Sequence, residues 1–443
     1  MDTPSIFVAF GVTGNLMRLK ILPALYALHT KGELPERFAI LGVSRQDWSH
    51  ADLRAYVAEV LGADTLSAEA HTALHIFLHS FFFVKGDTQE AALYDRLAET
   101  FSALESTWGV EADKILYLSL SSTLYRDAFE HLRHATFAKD SKRVRLMIEK
   151  PFGTSGKSAE KLHSILANTF EERAIYRVDH YLAKDALSTI PAVDGTLVSE
   201  LHFTFLETAG VEKRGHFFDM TGALLDMGQN HMLKVLARTT MKHSRAEALE
   251  ALHILSPDEV SKHTVRGQYD GYRDIPGVAP DSDTDTYFMI TSTIDTPRFP
   301  SVRVILEGGK SMPENKKEIR ITFKDGRVIT HPIGDNKSRS EYELLIHDCM
   351  RGNQTRFVSK REVGAILLPL DGTVFPLDDL LFRMAAGRLD LLQQERQLLL
   401  DALPLSLEGS QPVEPRLDNP VAHIIHEASP SRPAGISSRR TGA

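Results

Sequence analysis

Apolar residues run in short unbroken blocks through the first part of the chain and in looser alternation through the middle. Residues 6–10 (I-F-V-A-F), 38–43, 81–84, 115–120 and 144–149 are nearly continuous hydrophobic runs, the signature of strands buried on both faces. Helical periodicity separates them at residues 16–31, 90–104, 124–137 and 158–167. Strand and helix in alternation predict a doubly wound parallel sheet with helices on both faces. After about residue 178 the pattern changes. Residues 198–205, 286–294, 302–307 and 318–323 read as longer strands, often alternating, with helices expected at 220–241, 340–351 and 381–402. That combination predicts an α+β region with a large, mainly antiparallel sheet. Residues 408–443 are rich in Pro, Ser and Gly with little periodicity and read as a flexible tail. The expected division is 1–178, 179–407 and 408–443.

Bulk properties narrow the class. The chain has 443 residues, of which 42% are hydrophobic and 25% charged, as in ordinary soluble globular proteins. A net charge of −8 argues against a nucleic-acid partner. No apolar run has the length of a membrane span, and the M-D-T-P-S start has no basic signal-peptide region. A soluble cytoplasmic protein is therefore expected. The lone cysteine, Cys349, excludes an intramolecular disulfide and reads as a buried, inert thiol. No C-x-x-C or H-E-x-x-H pattern suggests a metal.

Candidate chemistry begins where the first strand ends. The G-V-T-G-N turn carries Gly11 and Gly14 and opens the first helix. Missing side chains and a helix N-terminus together make a phosphate cradle, the mark of a Rossmann-like domain. The second strand ends in Ser44-Arg45, where an NAD-binding fold carries an acid for the ribose hydroxyl. A guanidinium there would pair with a 2′-phosphate, which points to NADP. In E-K-P-F-G, Lys150 stands at the carboxyl end of a strand, where coenzyme and substrate meet in such sheets. Pro151 enforces a turn there and is a candidate for the cis isomer.

R-V-D-H-Y-L-A-K-D, from Arg177 to Asp185, gathers four chemically useful side chains. His180 and Lys184, four apart, can share one helical face and hold a dianion such as a phosphate monoester, with Tyr181 adding a hydroxyl. Asp179 would repel that dianion, so its expected work is to orient a histidine from elsewhere. His231, in M-G-Q-N-H-M-L-K-V-L, shares an apolar face with Leu224, Met227, Gly228 and Val235. It reads either as a core histidine or as a general base.

The segments G-V-T-G-N-L-M-R-L-K-I-L-P-A-L, E-K-P-F-G, R-V-D-H-Y-L-A-K-D, R-G-H-F-F-D, M-G-Q-N-H and I-P-G-V-A-P-D-S-D-T-D-T together resemble the glucose-6-phosphate dehydrogenase family. They follow the family's order over roughly residues 5–360. The resemblance implies oxidation of glucose 6-phosphate at C1 to 6-phosphoglucono-1,5-lactone, the first step of the pentose phosphate pathway. It implies NADP as coenzyme, with NAD as the other option, no metal, and a homodimer or dimer of dimers. His231 matches the general base and Asp179 its paired carboxylate. His180, Tyr181 and Lys184 match the residues that hold the sugar 6-phosphate. Glu207 and Asp219 match carboxylates that take sugar hydroxyls, and Lys310 a further substrate-side lysine. Lys20 and Lys150 match lysines at the junction of coenzyme and sugar. Gly11, Gly14, Asn15 and Leu16 match the coenzyme turn, and Arg45 the 2′-phosphate arginine.

The chain departs from the family pattern in several places. Asn15 replaces an acid, and Ser121-Ser122 stand where an apolar-Pro-Pro segment is usual. Asn315 occupies the place of a second basic residue, with Lys316 beside it. Glu307-Gly308-Gly309-Lys310 replaces Arg-Thr-Gly-Lys, and Pro297-Arg298-Phe299-Pro300 a tryptophan-containing stretch. The segment between Lys184 and Val198 is about ten residues short of the common pattern. These changes leave two alternatives to glucose 6-phosphate oxidation. One is a paralogue acting on another sugar phosphate or sugar derivative, and the other a non-catalytic regulatory homologue.

Overall fold

A computed structural model describes residues 3–139, 142–150, 156–241, 244–336 and 338–367. The Pro151 turn, the expected helix 381–402 and the expected tail 408–443 lie outside these residues.

The continuous apolar runs form a seven-stranded sheet of β1 (Ser5–Phe10), β2 (Phe38–Ser44), β3 (Phe81–Lys85), β4 (Asp113–Leu118), β5 (Val144–Ile148), β6 (Ile175–Val178) and, from far along the chain, Phe357–Val358. The first six are mutually parallel in the order β3-β2-β1-β4-β5-β6, the doubly wound arrangement. Alternate residues of each strand feed two separate cores. Phe7, Ile40, Phe81 and Tyr117 pack with Leu25, Leu53 and Phe77 on one face. Ile6, Leu41, Leu116 and Leu146 pack with Leu97, Phe101, Phe129 and Leu132 on the other.

Two helices on the first face, His50–Val60 and Ala68–His79, were not among the predicted elements. Their signal is in the caps. Ser49 and Asp52 form a reciprocal capping box, and the Ser67 hydroxyl accepts from the Ala70 N–H. β6, only four residues long, also went unpredicted. The helix Glu341–Met350, read from the sequence beside the second sheet, buries Leu345, Ile346 and Cys349 in the core of the first. Cys349 is fully buried and its thiol is pushed up by that burial.

The second sheet has six strands: β7 (Val198–Leu206), β8 (Thr264–Gly267), β9 (Tyr287–Ile294), β10 (Val302–Gly309), β11 (Lys316–Phe323) and β12 (Val328–Pro332). Every neighbouring pair is antiparallel except β7 with β10. Phe203, Phe205, Val304, Leu306, Ile319 and Ile321 face the helices that carry Phe218, Met227 and Leu236.

The helix expected at 220–241 is broken. It starts at Gly215, leaves helical geometry at Gly222 (φ 70°, ψ 172°), and resumes as a π-helical stretch, Leu224–Met232, that runs into Leu233–Thr240. The cause is Asp285. Its carbonyl takes the Ala223 N–H at 2.8 Å and its carboxylate the Leu224 N–H at 2.8 Å, so it caps the restarted helix. A Cβ at position 222 would sit 2.9 Å from the Asp285 carboxylate, and the positive φ also favours glycine. Among the described residues, no helix is long and apolar enough to cross a membrane.

Candidate active site

A cavity of about 840 Å³ lies where the carboxyl ends of β5 and β6 meet the second sheet and the π-helical stretch. Local chain geometry sets its inner wall. β6 ends at Val178, and the Asp179 side chain accepts the Tyr181 N–H at 3.0 Å, capping the short turn His180–Ala183. That turn stacks Tyr181 on Phe205 of β7 at 5.3 Å, joining the two sheets. The Tyr181 ring in turn meets the His231 ring at 4.1 Å, and His180 meets it at 5.1 Å. The structure therefore brings Asp179, His180, Tyr181 and His231 together, although His231 lies fifty-two positions after Asp179.

The inner end is a buried charge cluster. Asp179 has no exposed surface. Its Oδ1 is 3.5 Å from His231 Nδ1, and its Oδ2 is 3.2 Å from Lys150 Nζ and 3.0 Å from Lys234 Nζ. Burial would raise the Asp179 carboxyl, but Lys150, Lys234 and His231 outweigh it and hold it well below the usual range. Burial holds the His231 imidazole well below its ordinary value; Lys150 adds to this and Asp179 opposes it. Burial likewise pushes the Lys150 ammonium down to about 8 against the pull of Asp179. Behind Lys150, the Glu149 carboxylate accepts the Tyr117 hydroxyl at 2.7 Å, and burial pushes it up to about 7.

The outer end is charged and open. Lys184 Nζ is 2.7 Å from Asp335 and 3.3 Å from Glu341. Glu207 is clasped by Lys310 and, at 2.6 Å, by Lys317. Burial alone would raise Glu207, but the two lysines hold it down to about 2. His180 is held down to about 4, chiefly by burial, so at neutral pH its ring is an uncharged hydrogen-bonding group. Lys20, Leu16, Asp226, Arg214 and Arg339 complete the wall.

Asp219 is not brought to the cavity. Its carboxylate accepts from the Tyr272 hydroxyl at 3.0 Å, the Ala279 N–H at 3.0 Å and the Ser282 hydroxyl, so it pins the loop 272–284. Asp226, which the sequence pattern did not single out, lines the cavity instead, 3.9 Å from Lys310. It lies five residues before His231 in a stretch whose hydrogen bonds run from i to i+5, which sets the two one turn apart. An α-helical wheel gives no such alignment.

A second lysine reaches the cavity near the place where the family pattern carries a basic residue. Lys317, not Asn315 or Lys316, points into the cavity, because it shares the inward face of β11 with Ile319 and Ile321. Asn315 instead braces the residue next to Glu207. Its side chain takes the Thr208 N–H at 2.9 Å and donates to the Thr208 hydroxyl at 2.9 Å. Glu307 faces away, accepting from the Tyr287 hydroxyl at 3.0 Å and pairing with His202 at 3.0 Å.

The coenzyme turn lies at the end of β1. Gly11 has φ 75°, and a Cβ there would sit 2.7 Å from the Ser119 carbonyl oxygen. Gly14 donates to the Gly11 carbonyl at 2.9 Å and accepts from the Arg18 N–H at 3.0 Å, so Asn15 and Leu16 start the helix. Arg45 borders a separate cavity of about 440 Å³ with Lys85, Gly86 and Arg96. Its side chain is 84% exposed, with Asp87 at 3.8 Å, which leaves the guanidinium accessible to an anion. Among the described residues, no group of three or more His, Cys, Asp or Glu is placed to hold a metal ion.

A doubly wound domain with a glycine cradle, joined to a mainly antiparallel sheet with a carboxylate–histidine pair at the junction, has the architecture of a nicotinamide-dependent dehydrogenase. The family model described as glucose-6-phosphate dehydrogenase, NAD binding domain, matches residues 8–188, and that of the C-terminal domain matches residues 190–337. The chain belongs to the glucose-6-phosphate dehydrogenase family. Glucose-6-phosphate 1-dehydrogenase of Bacillus subtilis is 29% identical, covering 81% of this chain and 89% of its own. That of Aggregatibacter actinomycetemcomitans is 32% identical, covering 76% and 74%. A solved glucose-6-phosphate dehydrogenase in complex with its substrate glucose-6-phosphate superposes with a TM-score of 0.73 at 25% identity, covering 82% of this chain and 90% of that one. The enzyme from Mycobacterium avium gives 0.70 at 27%, with the same coverage.

Proposed function

We propose that this chain oxidises glucose 6-phosphate at C1 to 6-phosphoglucono-1,5-lactone, with NADP as hydride acceptor. The observation that carries the reading is the buried Asp179–His231 pair beside a cationic cavity, in a chain of this family. His231 Nδ1 lies 3.5 Å from Asp179 and 3.1 Å from Lys150. Once Lys150 turns to a ligand and Nδ1 donates to Asp179, Nε2 is the nitrogen left to take the C1 hydroxyl proton, and Asp179 stabilises the imidazolium that forms. The phosphate exchanges with Asp335 and Glu341 at Lys184, and His180 and Tyr181 add hydrogen bonds. Glu207 and Asp226 take sugar hydroxyls, while Lys310 and Lys317 hold Glu207 ionised and in place.

The glycine cradle at Gly11 and Gly14, which a Cβ at position 11 would fill, fits a pyrophosphate, and accessible Arg45 fits the 2′-phosphate. The coenzyme, when bound, supplies the ring that accepts hydride. Lys20 and Lys150 stand between it and the sugar. We assign coenzyme binding to residues 1–178 and sugar binding to residues 179–407. The family resemblance supports a cytoplasmic homodimer or dimer of dimers, with the outward face of the second sheet as the pairing surface. Glu307 and Asn315, which motivated a different sugar, serve the sheet and the Thr208 backbone, so that alternative loses its support.

Purified chain given NADP and a panel of aldose phosphates tests the assignment. Absorbance of the reduced coenzyme is expected to give glucose 6-phosphate a kcat/KM roughly a hundredfold above free glucose and above any other sugar phosphate. A better substrate in the panel, or no reduction at all, contradicts it.

A further inference from the structure

Asp179 has more partners than an orienting carboxylate needs. Oδ1 accepts the Tyr181 N–H at 3.0 Å and lies 3.5 Å from His231 Nδ1. Oδ2 meets two ammonium groups, Lys150 at 3.2 Å and Lys234 at 3.0 Å. The two lysines stand in different places. Lys150 is at the end of β5, also 3.1 Å from His231 Nδ1, where coenzyme and sugar meet. Lys234 lies three residues after His231; neither lysine lines the cavity, but the Lys150 side chain keeps 15% of its surface exposed and that of Lys234 only 5%.

A buried ammonium outside the cavity, ion-paired with the base's carboxylate at 3.0 Å, is placed as a lasting counter-ion. Lys150 cannot turn its charge fully to Asp179 and to a bound ligand at once. Lys234 can hold Oδ2 throughout.

We propose that Lys234 is a positioning residue of the reaction: it keeps Asp179 turned with Oδ1 toward His231 while Lys150 serves ligands. The inference rests on the functional reading above. The groups around His231 are Lys150 from the end of β5, Asp179, His180 and Tyr181 from the turn after β6, and Asp226 one turn earlier on its own helix, with Lys234 reaching it through Asp179. Glu149 stands behind Lys150. Burial, Lys150 and His180 lower the His231 pKa and Asp179 raises it. Lys234 acts on Asp179, so removing its charge leaves more of the carboxylate's charge to stabilise the imidazolium, and the His231 pKa is expected to rise. Turnover needs the neutral ring, so the acid limb of the pH profile moves to higher pH.

The test is the pH dependence of kcat/KM for the intact chain and for Lys234→Met, Lys234→Gln and Lys234→Arg, with folding checked by circular dichroism. The acid limb is expected to rise by about one pH unit in the Met and Gln variants and to stay near the parent in Arg. KM for the sugar phosphate is expected to change less than about twofold, since Lys234 touches no ligand. Lys234→Gln keeps a hydrogen-bonding group, so it carries the test if Lys234→Met does not fold. A folded neutral variant whose acid limb coincides with the parent makes Lys234 a packing residue and overturns the proposal. A parent chain that reduces no NADP with glucose 6-phosphate overturns the functional reading instead, and does so before any variant is made.

Discussion

At the inner end of the cavity, Asp179 has no exposed surface and meets two lysines and a histidine; at the outer end, Asp335 is 96% exposed and still pairs with Lys184. The chemistry of the contacts is the same, but the energetics are not. Lys184 is itself 6% exposed, but its partner Asp335 faces solvent and can return to water, so that carboxylate can give way to a phosphate on the same ammonium. A buried cluster can release a member only where another counter-charge stays, as Lys234 does beside Asp179 when Lys150 turns to a ligand, because a charge left alone there costs about 3–5 kcal/mol. On the proposed reading, one end is built before the substrate arrives and the other is finished by the substrate itself. The inner end should therefore govern kcat and stability, and the outer end KM.

The strongest way to break this contrast is Asp179→Asn. It leaves Lys150 and Lys234 without their carboxylate and His231 without its orienting partner. A kcat loss of about 10³- to 10⁴-fold is expected, together with about 3–5 kcal/mol less stability in denaturant titration. At the outer end, Lys184→Ala is expected to raise KM for glucose 6-phosphate by about 10- to 100-fold with little change in kcat. Activity on free glucose should not move; equal losses on both sugars would remove the phosphate role.

Two carboxylates near one helix sharpen the boundary between site and scaffold. Asp226→Asn is expected to raise the sugar KM about tenfold. Asp219→Asn should leave KM alone but loosen the loop 272–284 that it pins, visible as faster limited proteolysis. The reverse pattern would return Asp219 to the site. The smallest effect is expected of Asp335→Asn, which removes one of the two carboxylates on Lys184 and lowers the sugar KM by no more than about threefold.

The strands of the first sheet were legible because burial on both faces leaves an unbroken apolar run, as in residues 6–10. The helices His50–Val60 and Ala68–His79 were not. Each carries few core residues, Leu53 with Val57 and Leu74 with Phe77, so only their caps announce them. Asp179, His180, Tyr181, Lys184 and His231 were found together because a short motif carries four of them and the fifth sits in a recognisable helix. Asp226 escaped because its facing depends on a π-helical turn, which has no sequence period of its own. Asp219 was over-read for a similar reason: its partners Tyr272, Ala279 and Ser282 lie more than fifty positions away. Lys317 needed only the strand alternation of β11, with Ile319 and Ile321 marking the inward face.

The division of the cavity into a preset base and a phosphate-completed rim is tested most directly by His231→Ala. Turnover and glucose 6-phosphate affinity should be measured on the same preparation, by steady-state kinetics and by calorimetry. The expected result is a loss of roughly 10²- to 10⁴-fold in kcat with the dissociation constant changed less than about threefold. Near-normal kcat, or binding lost in step with turnover, would contradict it.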